Sequence, residues 1–150
     1  MIKLRVYLDT SVFSAYFDDQ LTDRKIETEE FWKRKGEFEV STSELAKEEL
    51  DRTPDRELAK RFQELLRGVE IISITGEMKQ LAQGYVEAGI FTQLAFNDAL
   101  HVAAAVLSRQ DVLLSWNFKH LVNRRRRAMV NELNAAKMLP RIEIIAPAEI

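Results

Sequence analysis

The chain has no cysteine. Disulfides, thiolate zinc sites and thiol nucleophiles are thereby excluded together. Neither Gly-rich fingerprint for nucleotide phosphates is present, so dinucleotide and P-loop sites are not expected. There is no G-x-S-x-G elbow either. No apolar run approaches the roughly 20 residues that a membrane helix needs. Residues 1–9 hold neither a long apolar core nor a small-residue cleavage site, and they read as a strand, not a signal peptide. A cytoplasmic location fits these features. A large charge of one sign is also missing, since the formal net charge is −2. Without a basic field over the whole surface, any binding of nucleic-acid phosphates must be local.

What is present is an ordinary globular balance. Hydrophobic residues make up 46% and charged residues 31% of the chain, which argues against disorder. The 150 residues suit a single domain, large enough to bury most of its unfolded surface. Five short apolar runs rich in Val and Ile read as strands, at residues 4–8, 38–41, 69–74, 112–115 and 142–146. Helical patterns lie between them. This alternation predicts an α/β fold with three α/β/α layers and a mostly parallel central sheet of four or five strands.

The helices carry their own start and stop signals. Thr53 is expected to cap one helix with Pro54 at its first position, and Leu58, Phe62, Leu65 and Leu66 form its apolar face. Thr75 is expected to cap the next, where Met78, Leu81, Ala82 and Tyr85 repeat at helical spacing, and Gly89 to end it in a left-handed conformation. A helix over 98–108 is apolar on so many sides that it is expected at the centre. Asn123 is placed to cap a last long helix. Residues 22–36 give a weaker signal, because Ile26, Phe31 and Trp32 make no clean stripe.

Four segments carry candidate chemistry. In V-Y-L-D-T-S, residues 6–11, Asp9 ends an apolar strand, where an open parallel sheet has its ligand crevice; its plainer reading is a helix cap. In S-E-L-A-K-E-E-L, residues 43–50, Ser43 can cap a helix. Glu49 shares a face with Leu45 and is drawn to the packed side, whereas Glu44 and Glu48 face water. In F-N-D-A-L-H-V-A-A-A, residues 96–105, Asp98 opens the most apolar helix, and that helix terminus favours a carboxylate. Asn97 already serves as a cap there, and His101, one turn on, reads as a packed histidine. In L-L-S-W-N-F-K-H-L, residues 113–121, Asn117 follows a strand end, while Trp116 and Phe118 read as core. Arg124 to Arg127 form the clearest basic run. Together with Lys119 and His120 it is a candidate for RNA phosphates or an acidic protein segment, or else a solvated helix start.

Taken together, D-T-S after the first strand, the E-L that ends residues 43–50, the D-A-L-H helix and the W-N-F-K-H-L turn resemble PIN-domain nucleases, especially toxins of the VapC type. The resemblance spans nearly the whole length and implies one PIN domain over residues 1–150. It implies four acidic positions at the sheet's C-terminal edge that bind Mg²⁺ or Mn²⁺ and act in RNA hydrolysis. They fall on Asp9, Glu49, Asp98 and Asn117. The first three are then the metal ligands. Asn117 departs from the Asp of many members, which bears on a second ion more than on the first. The resemblance further implies a cognate antitoxin and a homodimer. The chemistry is coherent, because clustered carboxylates stay ionised together only if a cation neutralises them. Hard oxygen donors select Mg²⁺ or Mn²⁺, and such an ion activates water and offsets charge on phosphoryl oxygens. A different reading keeps the fold but not the catalysis: an inactive PIN-like module that binds RNA or protein.

Overall fold

The computed structural model describes residues 2–150. Five strands, β1 (Arg5–Leu8), β2 (Glu39–Ser43), β3 (Glu70–Ile72), β4 (Val112–Leu114) and β5 (Glu143–Ile145), form one sheet in the order β3-β2-β1-β4-β5. Every pairing is parallel. The α-helices are α1 (Thr10–Ser14), α2 (Thr22–Lys33), α3 (Glu44–Asp51), α4 (Arg56–Leu66), α5 (Gly76–Glu87), α6 (Phe96–Leu107) and α7 (Arg124–Ala136). All five expected strands are present, and each agrees with its expected bounds to within two residues.

The two central strands explain the apolar runs. Val6, Tyr7 and Leu8 of β1 and Val112, Leu113 and Leu114 of β4 are all buried, as strands covered on both faces must be. Side chains alternate across a strand, so the sheet separates two cores. Tyr7 and Leu113 pack with α5, α6 and α7 through residues such as Tyr85, Val102 and Val130. Val6, Leu8, Val112 and Leu114 pack on the other face with Phe13, Phe31, Leu50 and Phe62 of α1 to α4. The result is three layers. No helix among the described residues is long and apolar enough to cross a membrane.

Helix ends agree with expectation in part. Thr75 caps α5 by accepting from the Met78 N–H, Asn123 caps α7 by accepting from the Arg126 N–H, and Gly89 has a φ of 78°. The Thr53 cap is corrected. Asp55 caps α4 and accepts from the N–H groups of both Glu57 and Leu58, so Pro54 lies before the helix. Asn97 is corrected too. The cap residue of α6 is Ala95, which has no side-chain bond to give, and Asn97 lies inside the first turn. Residues of 22–36 do form a helix, α2. It is anchored by Phe31, Trp32 and the buried Thr28, while Ile26 is exposed, which is why no aliphatic stripe marks it.

The chain builds outward from β1 to β2 and β3, then returns to add β4 on β1's other side. Strand order therefore reverses between β1 and β4. In open α/β sheets, the crevice beyond the strand ends at such a reversal is where ligands bind.

Candidate functional site

Asp9 lies at that reversal. Its N–H continues the ladder by donating to the Leu114 carbonyl at 3.0 Å. It is also the cap residue of α1, yet its carboxylate makes no cap bond, so the plainer reading of Asp9 fails. The carboxylate is held by two serines instead. The hydroxyls of Ser11 and Ser115 donate to its Oδ2 at 2.8 and 2.5 Å. These serines are fixed in turn, Ser11 Oγ by the Trp116 N–H and Ser115 Oγ by the Asn117 N–H, both at 2.9 Å. Asp9 is only 5% exposed.

Glu49 arrives from the neighbouring strand end. β2 passes directly into α3, where Ser43 accepts from the Ala46 N–H, and Glu49 lies on the half-buried side. Its Oε1 accepts from the Thr10 hydroxyl at 2.9 Å and lies 2.8 Å from His101 Nε2. Burial pushes this carboxyl up, but the His101 hydrogen bond, the imidazole charge and the Thr10 hydroxyl outweigh it and hold Glu49 below its usual range. Glu44 and Glu48 are exposed, and Glu44 accepts from the Ile74 N–H, so neither belongs to the crevice.

Asp98 lies in the first turn of α6. Burial raises its carboxyl above the ordinary range, and the nearby charge of Asp9 adds to that, against the opposite pull of His101 and His120. Asn117 faces it, with Nδ2 at 3.4 Å from Asp98 Oδ1. The amide oxygen of Asn117 is engaged elsewhere, accepting from the His120 N–H at 2.9 Å. Asn117 thus turns its donor, not its acceptor, toward the acids.

His101 is the residue that sequence reasoning set aside. It is 1% exposed and sits among the acids, with Nε2 2.8 Å from Glu49 and 3.7 Å from Asp9. Its Nδ1 is 2.7 Å from the hydroxyl of the buried Tyr7, which is 2.7 Å from Ser43 Oγ. The chain is complete with either imidazole state. Neutral His101 donates to Glu49 and accepts from Tyr7, and the imidazolium donates to both. Burial disfavours the imidazolium, but the Glu49 hydrogen bond and the charges of Asp9, Glu49 and Asp98 raise the His101 pKa above its usual value. One signal existed: His101 follows Asp98 by three residues, so the two share a helix face. Thr10 and Ser11 belong to the D-T-S motif without a role of their own being assigned, and Ser115 and Tyr7 carried no comparable signal.

Among the described residues, no three His, Cys, Asp or Glu side chains are grouped closely enough to enclose an ion as they stand. The donor set nonetheless fits a hard cation. The hydrogen bonds of the site engage Asp9 Oδ2, Glu49 Oε1 and Asp98 Oδ1, which leaves the second oxygen of each carboxylate for another partner. Mg²⁺ commonly binds through one or two carboxylates and keeps its remaining waters.

The basic run lies elsewhere. Arg124 and Arg127 line a groove of about 650 Å³ between α7 and β5 that Glu132 and Glu143 also line but Asp9, Glu49 and Asp98 do not. Arg127 donates to the Ile144 carbonyl, and Arg126 lies over the Phe91 ring. Trp116 is buried as expected, but Phe118 is exposed.

A sequence model described as the PIN domain matches residues 6–119. No curated protein matches the chain. Among solved structures, the chain is similar to one in the crystal structure of VapBC2 from Rickettsia felis bound to a DNA fragment from their promoter. The TM-score is 0.57 and the identity 14%, covering 94% of this chain and 97% of that one. It is also similar to a chain in a toxin–antitoxin complex from Klebsiella pneumoniae, with a TM-score of 0.59 and 16% identity, covering 81% of this chain and 93% of that one. At such identities the likeness speaks for the fold.

Proposed function

The chain belongs to the PIN domain family, and from that premise we propose that it is a ribonuclease dependent on Mg²⁺ or Mn²⁺, the toxin of a toxin–antitoxin pair. The observation that carries this reading is the meeting of Asp9, Glu49, Asp98 and His101 at the sheet's reversal point. Carboxylates gathered this closely repel one another, and a divalent cation would offset that repulsion.

Asp9, Glu49 and Asp98 would hold that ion through their unengaged oxygens. When bound, it supplies Lewis-acid stabilisation of phosphoryl charge and a more acidic water. The residues of this chain do the positioning. Ser11 and Ser115 fix Asp9 through Oδ2 and leave Oδ1, which lies 3.7 Å from His101 Nε2, without a hydrogen bond. Thr10 and His101 fix Glu49. Asn117 acts beside the acids by donating to Asp98. No protein nucleophile is required.

The partner reading rests on the structural neighbours, one in VapBC2 and one in a toxin–antitoxin complex. A cognate antitoxin would bind beside the acidic crevice, where a basic side chain can neutralise it in place of the ion. A homodimer belongs to the same reading. The other reading, a module without catalysis, is favoured by one observation: Asn117 turns its amide nitrogen, not its oxygen, toward Asp98, while the oxygen accepts from the His120 N–H. Expression in a bacterial host separates the two. The wild type should arrest growth, Asp98→Asn should not, and the product of the neighbouring reading frame should restore growth and co-purify. A wild type that is harmless and captures no neighbour contradicts the toxin reading.

A further inference from the structure

We propose that Phe118 is a stacking platform for an unpaired RNA base beside the acidic crevice, an inference that rests on the ribonuclease reading above. A single exposed apolar side chain needs no explanation by itself. Phe118 differs from that ordinary case in four ways. It is 46% exposed and directly follows Asn117, whose amide reaches Asp98. Its ring is backed by charge, since the Arg24 guanidinium carbon lies 5.3 Å from the Phe118 centroid and 5.5 Å from that of Trp116. It is braced by Trp116, whose ring stands edge-on at 6.1 Å and 67°. Trp116 is itself anchored, because its Nε1–H donates to the buried Thr28 Oγ1 at 2.8 Å.

The turn that carries the ring is fixed as well. The Phe118 N–H donates to the Trp116 carbonyl at 3.0 Å, and the Phe118 carbonyl accepts from Asn123 Nδ2 at 3.2 Å. A ring held this way loses little freedom when a planar ligand lands on it. Phe118 directly follows Asn117, whose amide lies 3.4 Å from Asp98 Oδ1, so the ring is carried on the turn that borders the acids. The exposed Lys119 adds a cation for the strand's backbone. Every nucleobase has a π-face, so this contact selects single strands over duplexes and is tolerant of sequence.

The test compares wild type, Phe118→Ala, Phe118→Leu and Phe118→Trp on a single-stranded RNA whose cut is mapped, with circular dichroism to verify folding. The same RNA is then made with an abasic nucleotide at each position flanking the cut in turn. Loss of one stacked base costs about tenfold in binding. Phe118→Ala and Phe118→Leu should raise KM by about that factor with kcat little changed, whereas Phe118→Trp should retain wild-type behaviour. Leu keeps the bulk without the aromatic face, so it separates stacking from packing. At one flanking position the abasic substrate should penalise wild type by the same factor and Phe118→Ala not at all. Wild-type KM in Phe118→Ala, or penalties that multiply, would overturn the proposal. If wild type cleaves RNA and Phe118→Ala loses only its co-purifying protein, the ring serves a protein contact and the proposal falls alone. If wild type cleaves no RNA, the ribonuclease reading falls and takes the platform with it.

Discussion

Asp9, Glu49 and Asp98 stand at a strand end, on the packed side of a helix and in the first turn of an apolar helix, and the family resemblance is what joins these three positions into one candidate site. His101 was not legible, since a histidine on an apolar helix face ordinarily packs, and its partners Tyr7 and Glu49 are far away in sequence. The His101 environment has a pH consequence for the metal-free protein. A raised His101 pKa contributes stability that is complete below the usual value of 6.5 and is lost as pH rises through the raised one. The raised Asp98 acts in the same sense, from 3.8 upward. Glu49, held below 4.5, contributes above that value and loses its contribution as pH falls through the lowered one. In chelator, the thermal midpoint should therefore be greatest on the acid side of neutrality and decline toward alkaline pH. Melts across pH should show this decline in wild type and a flatter profile in His101→Gln; an equal decline in the variant contradicts the assignment. Asn117→Asp should lower the metal-free midpoint, because it removes a donor to Asp98 and sets a second acid there, at a cost of about 1 kcal/mol. Mn²⁺ should then raise the midpoint of that variant more than that of wild type. Equal gains from Mn²⁺ would mean that position 117 does not sense the ion.

At the scale of elements, the strands were legible because a strand covered on both faces is apolar throughout, as β1 and β4 are. Helix α2 was obscure because it packs through Thr28 and two aromatic residues, leaving Ile26 outside. The start of α4 was misplaced because Thr53 and Asp55 are both acceptable caps in sequence, and only geometry shows that Asp55 reaches two N–H groups. The arginine run illustrates the same limit. Its sequence suggests a binding patch, but α7 also serves the edge of β5. Arg127 donates to the Ile144 carbonyl, and the Asn131 amide pairs with both the N–H and the carbonyl of Ile142. These contacts occupy backbone groups that an edge strand would otherwise offer to other chains. Asn131→Ala should destabilise the protein by about 1–3 kcal/mol in urea unfolding, the cost of leaving such groups unpaired. Arg124→Ala, at an exposed position, should stay within about 0.5 kcal/mol. Equal effects from the two would show that α7 does not protect the edge through Asn131.

Across the whole molecule, the order β3-β2-β1-β4-β5 brings residues from four segments to one crevice, and the alternation of strands and helices made the layers predictable. The hydrogen-bonding of the crevice was not predictable, because it depends on serines and a threonine whose roles arise only when strand ends meet. The central claim is that this crevice cleaves RNA with the help of a divalent ion. Its most direct test is cleavage of a defined single-stranded RNA by wild type and Asp98→Asn under titration with Mg²⁺ and Mn²⁺, each with a chelator control. Wild type should cut only in the presence of an ion, chelation should stop it, and Asp98→Asn should reduce the rate by at least about a hundredfold. Cleavage that survives chelation, an Asp98→Asn rate equal to wild type, or no cleavage with either ion would contradict the claim.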